Sequence, residues 1–353
     1  MGRDLAIDLG TANTLVYRRG DGIVYDQPTV VALQASTGHV LATGDDARLL
    51  INGPGGRSTG RPGRREQGAD ADPGDVIAMR PLRDGTMTEY DVTERMLQAV
   101  LRRVGSGRLS RPRILVCVPS LSSEVEKRAI EEAFQAAGAR QVTLVEEPLA
   151  AAIGAGLPVH EPVGNLIVDI GGGRSEMAVV SMGGVVGGHS VRLGSDDLDA
   201  AVREHVRTGY GVAIGEKAAE ELKIAIGSAF PRGTARAAIV VGRELASGNT
   251  VEVKLSEDEL RAAMAEPIRG IVDAARTTLA EAPPELTHDV LDTGMFLTGG
   301  GSLLRGLDML LAQECEVPVH VTEDPLRTVV VGAGRMLEHL EDYRSAFQLV
   351  RRR

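Results

Sequence analysis

The chain has 353 residues, 43% of them hydrophobic and 25% charged, a globular composition with length enough for two domains. A net charge of −10, only 3% aromatic residues and no Trp argue against nucleic acid as a partner, which would need a basic face or base-stacking platforms. Two cysteines cannot build a disulfide framework. Neither an N-terminal signal core nor an apolar run of about 18 residues occurs, so the chain is expected in the cytoplasm.

In chain order, strand-like runs are DLAIDLG, NTLVYRR, PTVVALQ, RILVCVP, QVTLVEE, NLIVDIG and EMAVVSM. Helical periodicity marks TERMLQAVLRRV and EVEKRAIEEAFQAAG; Ser123 with Glu126 three residues on reads as a capping box for the second. Further helices are expected at PLAAAIGAG, DLDAAVREHV, GEKAAEELKIAIG, SEDELRAAMAEPIRGIVDAARTTLAEA and LLRGLDMLLAQE. Strands alternating with helices give an α/β class. The stretch 52–74, rich in Gly, Pro and Arg, cannot bury apolar surface and is expected to be a disordered surface insertion.

One unit occurs twice. AIDLGTANTLVY near the start and VDIGGGRSEMAV in the middle share an acid, an aliphatic residue and a glycine turn followed by apolar residues. Such a strand–turn–strand exposes successive backbone N–H groups to a phosphate, with Gly10, Gly171, Gly172 and Gly173 permitting close approach and Thr11 and Asn13 adding side-chain contacts. Asp8 and Asp169, at the strand ends entering the turns, suit Mg²⁺ held through water. Either hairpin alone would read as an ordinary tight turn; the matched pair is what favours a phosphate site. A third cluster, Gly299, Gly300, Gly301 and Ser302, suits a nucleotide's sugar or phosphate, although Leu304 breaks the dinucleotide fingerprint. Glu146 and Glu147 precede Pro148, a good first helical residue; Glu147 either orients water or, with Glu146, only caps the helix.

IDLGTANTLVY, GDVIAMRPLRDGTMTEYDVTERML, VEKRAIEEA, EEPLAAAIGAGLPV, IVDIGGG, IGEKAAEELKIAIGSA and LTGGGSLLRGLD together resemble the actin, sugar-kinase and heat-shock ATPase superfamily, and within it the MreB/Mbl bacterial actins. The resemblance covers nearly the whole chain. It implies an actin-like duplicated two-domain fold of four subdomains with a nucleotide cleft between the domains. On this chain, domain I would span 1–146 plus 327–353, with a small subdomain near 32–77; domain II would span 147–326, with a small subdomain near 183–254.

The resemblance further implies ATP and Mg²⁺ as cofactors. Thr11, Ala12, Asn13 and Gly171 to Gly173 fall on its phosphate contacts, Glu220, Glu221, Leu222 and Lys223 with Gly299 to Ser302 on its adenosine contacts, and Glu147 on its water-activating glutamate. The expected activity is self-assembly into filaments at the inner face of the cytoplasmic membrane, organising cell-wall synthesis and cell shape with wall-elongation membrane proteins. The helix matching EVEKRAIEEAF is expected to help pair protofilaments.

Three departures qualify this. Arg174 stands where the family usually has Thr; a guanidinium cannot accept a hydrogen bond from attacking water, yet it can neutralise γ-phosphate charge. Ser195 replaces a usual glycine. The loop GSGRLSRPR keeps Leu109 but has Ser110 in place of an aromatic, leaving Arg102, Arg103, Arg108, Arg111 and Arg113 to attract anionic lipid. The alternatives are a hydrolysis-poor or non-polymerising regulatory paralogue and, remotely, a small-molecule kinase of the same fold.

Overall fold

The β-branched and aliphatic runs form strands, and the amphipathic stretches close over them as helices. The computed structural model describes residues 4–51, 56–58, 76–105, 111–231, 233 and 236–343, with backbone alone at 51 and 56–58. Two units result, 1–154 with 329–353, and 155–328.

The first unit runs β1 (Leu5–Leu9), β2 (Asn13–Arg18), β3 (Gly22–Pro28), β4 (Val31–Gln34), β5 (Val40–Thr43), α1 (Asp45–Ile51), β6 (Gly56–Ser58), β7 (Val76–Met79) and β8 (Leu82–Arg83). It continues β9 (Thr86–Met87), α2 (Tyr90–Arg103), β10 (Arg113–Val118), α3 (Glu124–Ala136), β11 (Gln141–Glu146) and α4 (Glu147–Gly154). Its main sheet has the order β11-β10-β1-β2-β3, with β1 parallel to β10 and antiparallel to β2. Leu5, Ile7, Val16, Met96, Leu97, Val116 and Phe134 fill the core beneath it. A smaller sheet, β5-β4-β7-β6, carries α1, whose Ala47 clusters with Val30 and Ala32.

The second unit repeats the plan with β12 (Asn165–Ile170), β13 (Ser175–Ser181), β14 (Gly184–Val191), α5 (Ser195–Tyr210), β15 (Val212–Ala213), α6 (Glu216–Ile226), β16 (Ala237–Glu244) and β17 (Thr250–Ser256). Then come α7 (Glu257–Glu281), α8 (Pro284–Thr293), β18 (Met295–Thr298), a 3-10 turn (Gly300–Leu303), α9 (Leu307–Cys315) and β19 (Val319–Val321). Its main sheet is β14-β13-β12-β18-β19, the first sheet's arrangement of three antiparallel strands flanked by two parallel ones. The smaller sheet is β15-β16-β17. The helix α10 (Thr328–Glu338) then leads back into the first unit.

The structure departs from the sequence reading in two places. Of the expected disordered insertion, Gly56–Ser58 form β6, paired parallel with β7, and the rest of 52–74 lies outside the described residues. The helix expected from Leu303 is broken into a 3-10 turn and α9, because Gly306 adopts φ +74°, where an added Cβ would also lie 2.9 Å from Phe230 Cβ. The lipid-loop residues Arg108, Leu109 and Ser110 lie outside the described residues. No described helix is long and apolar enough to cross a membrane.

Candidate functional site

The two glycine turns are built alike. Between the cross-strand pairs Leu9–Thr14 and Ile170–Ser175 lie four residues each, Gly10 to Asn13 and Gly171 to Arg174. Gly10 N–H donates to Asn13 O at 3.0 Å, and Gly171 N–H donates to Arg174 O at 2.9 Å. Asp8 and Asp169 sit one residue before the last residue of β1 and of β12, both only partly covered, so the internal echo is a repeated structure as well as a repeated string. Arg174 therefore occupies in the second turn the place of Asn13 in the first.

Each turn is held from behind. In the first unit Thr29, fully buried, donates its hydroxyl to Gly10 O at 2.7 Å and its N–H to Ala12 O at 2.9 Å. Thr14 Oγ1 lies 2.8 Å from Thr29 Oγ1. In the second unit the start of α5 does this work: Ser195 N–H reaches Gly171 O at 3.0 Å and Asp196 N–H reaches Gly172 O at 2.8 Å. The approach is possible because residue 194 is glycine; a Cβ there would lie 2.3 Å from Gly172 O. Asp197 closes the helix start by accepting the Gly194 N–H at 2.8 Å. Sequence reasoning passed over Thr29 and Gly194. Gly194 carried a signal, a glycine three residues before an acid at a helix start; Thr29, a threonine in an apolar run, carried none.

The third glycine cluster meets the second turn within the same unit. Gly299 has φ +77°, and a Cβ on it would lie 2.3 Å from Asp169 Oδ1, so this backbone passes directly beside the carboxylate. Ser302 turns its hydroxyl onto Gly299 O at 2.7 Å. Burial beside these atoms raises the Asp169 carboxyl to about 6. Carboxylates such as those of Asp8 and Asp169 are hard oxygen donors of the kind a water-retaining divalent ion takes.

The helix α6 spreads its four candidate residues over different roles. Glu220 and Glu221 face solvent, while Leu222 lies in the core. Lys223 directs its ammonium to Asp199 Oδ1 at 2.8 Å and donates to Ser195 O at 3.1 Å, tying α6 to the α5 start that backs the second glycine turn. Desolvation raises the Asp199 carboxyl to about 6 even against the pull of Lys223.

Glu147 is the first residue of α4, whose following residues Pro148 to Ile153 are all buried. The other end of that helix is fixed by Arg335, which donates to Ile153 O at 2.6 Å and Gly154 O at 3.2 Å. Arg174 sends Nη1 to Ser190 Oγ on β14 at 3.3 Å. No cluster of three or more His, Cys, Asp or Glu positioned for a metal occurs among the described residues.

The family model for MreB/Mbl protein matches residues 2–345. The chain is 47% identical over 344 residues to the cell shape-determining protein MreB of Escherichia coli, covering 96% of this chain and 94% of that one. It is 40% identical over 340 residues to the cell shape-determining protein Mbl of Bacillus subtilis, covering 96% and 97%. Among solved structures, MreB5 of Spiroplasma citri bound to ADP superposes with a TM-score of 0.86 at 29% identity over 98% of this chain and 99% of that one. The same protein has also been solved with AMPPNP.

Proposed function

The chain belongs to the MreB/Mbl family of bacterial actins, and from that premise we propose that it binds ATP with Mg²⁺ and assembles with copies of itself into filaments. On this reading the filaments lie against the inner face of the cytoplasmic membrane and organise wall synthesis with the membrane proteins of elongation. The observation that carries the nucleotide reading is the matched pair of turns, each closed by the same glycine-to-fourth-residue hydrogen bond. The nucleotides bound to Spiroplasma citri MreB5 support it.

In this reading Gly10 to Asn13 and Gly171 to Gly173 hold phosphate oxygens through backbone N–H groups. Glu220, Glu221 and Lys223 together with Gly299 to Ser302 flank the adenosine, with Lys223 acting through its bond to Ser195 O. Asp8 and Asp169 hold Mg²⁺, which when bound neutralises charge on the phosphates. Glu147 accepts a hydrogen bond from the attacking water.

A second reading, a nucleotide-binding filament protein that hydrolyses poorly, is favoured by Arg174. Its guanidinium is drawn onto Ser190, and it has no acceptor to offer water. One experiment covers both: phosphate release from Mg-ATP and pelleting, with and without anionic liposomes, for wild type and Arg174→Thr. Pelleting with phosphate release at least as fast as the variant's establishes an ATPase in which Arg174 serves the chemistry. ATP binding with little release, restored in Arg174→Thr, establishes the second reading. Absence of ATP binding refutes both.

A further inference from the structure

The strands β8 and β9 form a six-residue hairpin, with Leu82 opposite Met87 and Arg83 opposite Thr86. Its two turn residues, Asp84 and Gly85, have φ +52° and +72°, the left-handed pair that a tight two-residue hairpin requires. Leu82 is buried in the first unit's core, and Pro81 O accepts the Thr88 N–H at 3.0 Å, so the base of the hairpin is rooted. The tip goes elsewhere: Gly85 N–H donates to Thr11 Oγ1 at 2.8 Å.

That bond has a chemical consequence. A threonine hydroxyl has one proton and two lone pairs. With a lone pair occupied by Gly85 N–H and the side chain 7% exposed, the hydroxyl is fixed in place and its proton remains to be donated. The hairpin is in turn fastened on its second strand. Thr86 donates its hydroxyl to Glu126 Oε1 at 3.2 Å, while the other oxygen of that carboxylate accepts Ser123 N–H and Ser123 Oγ, each at 2.8 Å, in the capping box of α3. Turn, hairpin and helix start thus form one hydrogen-bonded series within a single unit.

We propose that the Leu82–Met87 hairpin is a positioning element for nucleotide binding: Gly85 holds Thr11 as a phosphate donor, and Thr86 anchored on Glu126 keeps Gly85 in reach. Thr86 and Glu126 act through Thr11 and touch no ligand themselves. This rests on the nucleotide reading above, and it adds a residue set that the phosphate motifs do not contain.

The test is equilibrium binding of ATP, ADP and adenosine to the full chain, for wild type, Thr86→Val, Thr86→Ser, Thr11→Val and the Thr11→Val/Thr86→Val double variant. Thr86→Val is expected to weaken ATP and ADP about two- to tenfold, the range of one hydrogen bond, and to leave adenosine unchanged. Thr86→Ser restores wild-type affinity, and in the Thr11→Val background Thr86→Val adds no further loss. A merely structural role for Thr86 would weaken all three ligands alike, or add its penalty regardless of Thr11, and either result overturns the proposal. Wild-type affinity in Thr86→Val overturns it too while leaving the nucleotide reading intact; a wild type that binds no ATP removes both. Hydrogen exchange over 82–87 in the wild type needs no variant, and is expected to slow on Mg-ATP addition. An unchanged rate there counts against the positioning role.

Discussion

Replacing Gly194 with Ala probes the second glycine turn without altering its own residues. The backbone there, φ −152° and ψ −164°, is extended and open to alanine, so steric contact is the only new term. The added Cβ would lie 2.3 Å from Gly172 O, 2.6 Å from Gly172 C and 2.8 Å from Gly171 O, all backbone atoms of a closed turn. Ordinary contact demands that the helix start withdraw by about 1 Å. The bonds from Ser195 and Asp196 N–H, now 3.0 and 2.8 Å, would then stretch beyond hydrogen-bond range. Two backbone bonds lost in a covered position cost about 2 to 4 kcal/mol. Urea unfolding should show that loss, and amide exchange over 170–198 should accelerate. Gly187→Ala is the control, since its Cβ meets nothing within 4 Å. If Gly194→Ala is as stable as Gly187→Ala, the turn does not depend on α5.

Gly299→Ala places a methyl on a left-handed backbone and into Asp169 Oδ1, so it should destabilise by at least about 1 kcal/mol and raise the Mg²⁺ concentration that ATP binding requires; an unshifted Mg²⁺ dependence refutes this. Ser256 and Tyr210 hydrogen bonds lower Glu259 from its ordinary 4.5 to about 2, so its stabilisation is present above about pH 4.5 and lost as pH falls towards 2. Because the group is partly exposed, Glu259→Gln should remove about 1 kcal/mol or less at neutral pH and flatten the acid limb of the stability profile, checked by melts from pH 2 to 7. Arg335→Met strips two carbonyl contacts from the end of α4 and should cost about 1 to 3 kcal/mol, with Arg335→Lys recovering part; equal melting of all three proteins would show the contacts to be idle.

How much of this was legible in the sequence depended on whether the signal was local. Six of the seven apolar runs became main-sheet strands and PTVVALQ became β4 of a smaller sheet, Ser123 and Glu126 made their capping box, and the two glycine strings became matched turns. The helix α10 was missed because TVVVGAGRMLE carries a β-branched run and two glycines, each poor for an isolated helix. Its reason is tertiary: Gly332 lies against Ala150 O, where a Cβ would come to 1.8 Å, and Gly334 lies against the Tyr17 ring. The Asp84–Gly85 hairpin was missed although Asp-Gly is a strong turn signal, since two-residue strands are too short to alternate. At the site, residue types were readable and partners were not. Nothing in the string tells that Lys223 is spent on Asp199 and Ser195, or that Gly299 is needed to pass Asp169.

The two turns share their closure and differ at its fourth residue, and that difference bears on the chemistry. Asn13 carries both a donor and an acceptor; Arg174 carries donors alone. The Arg174 bond to Ser190 is long, at 3.3 Å, and joins a cation to a neutral hydroxyl. A guanidinium on phosphate pairs two full charges and is commonly bidentate, so near a phosphate the guanidinium has a stronger partner than the Ser190 hydroxyl. Nucleotide affinity should therefore survive the substitution of the family's Thr, and turnover should be what it alters. On Ser190 the guanidinium is parked, and on a phosphate it supplies charge; in neither place can it accept a hydrogen bond from water. In the proposed reading that task falls to Glu147, whose helix is fixed at its far end by Arg335. In the proposed reading the chain thus grips ATP with two turns and has one residue fewer than its family to prepare the attack.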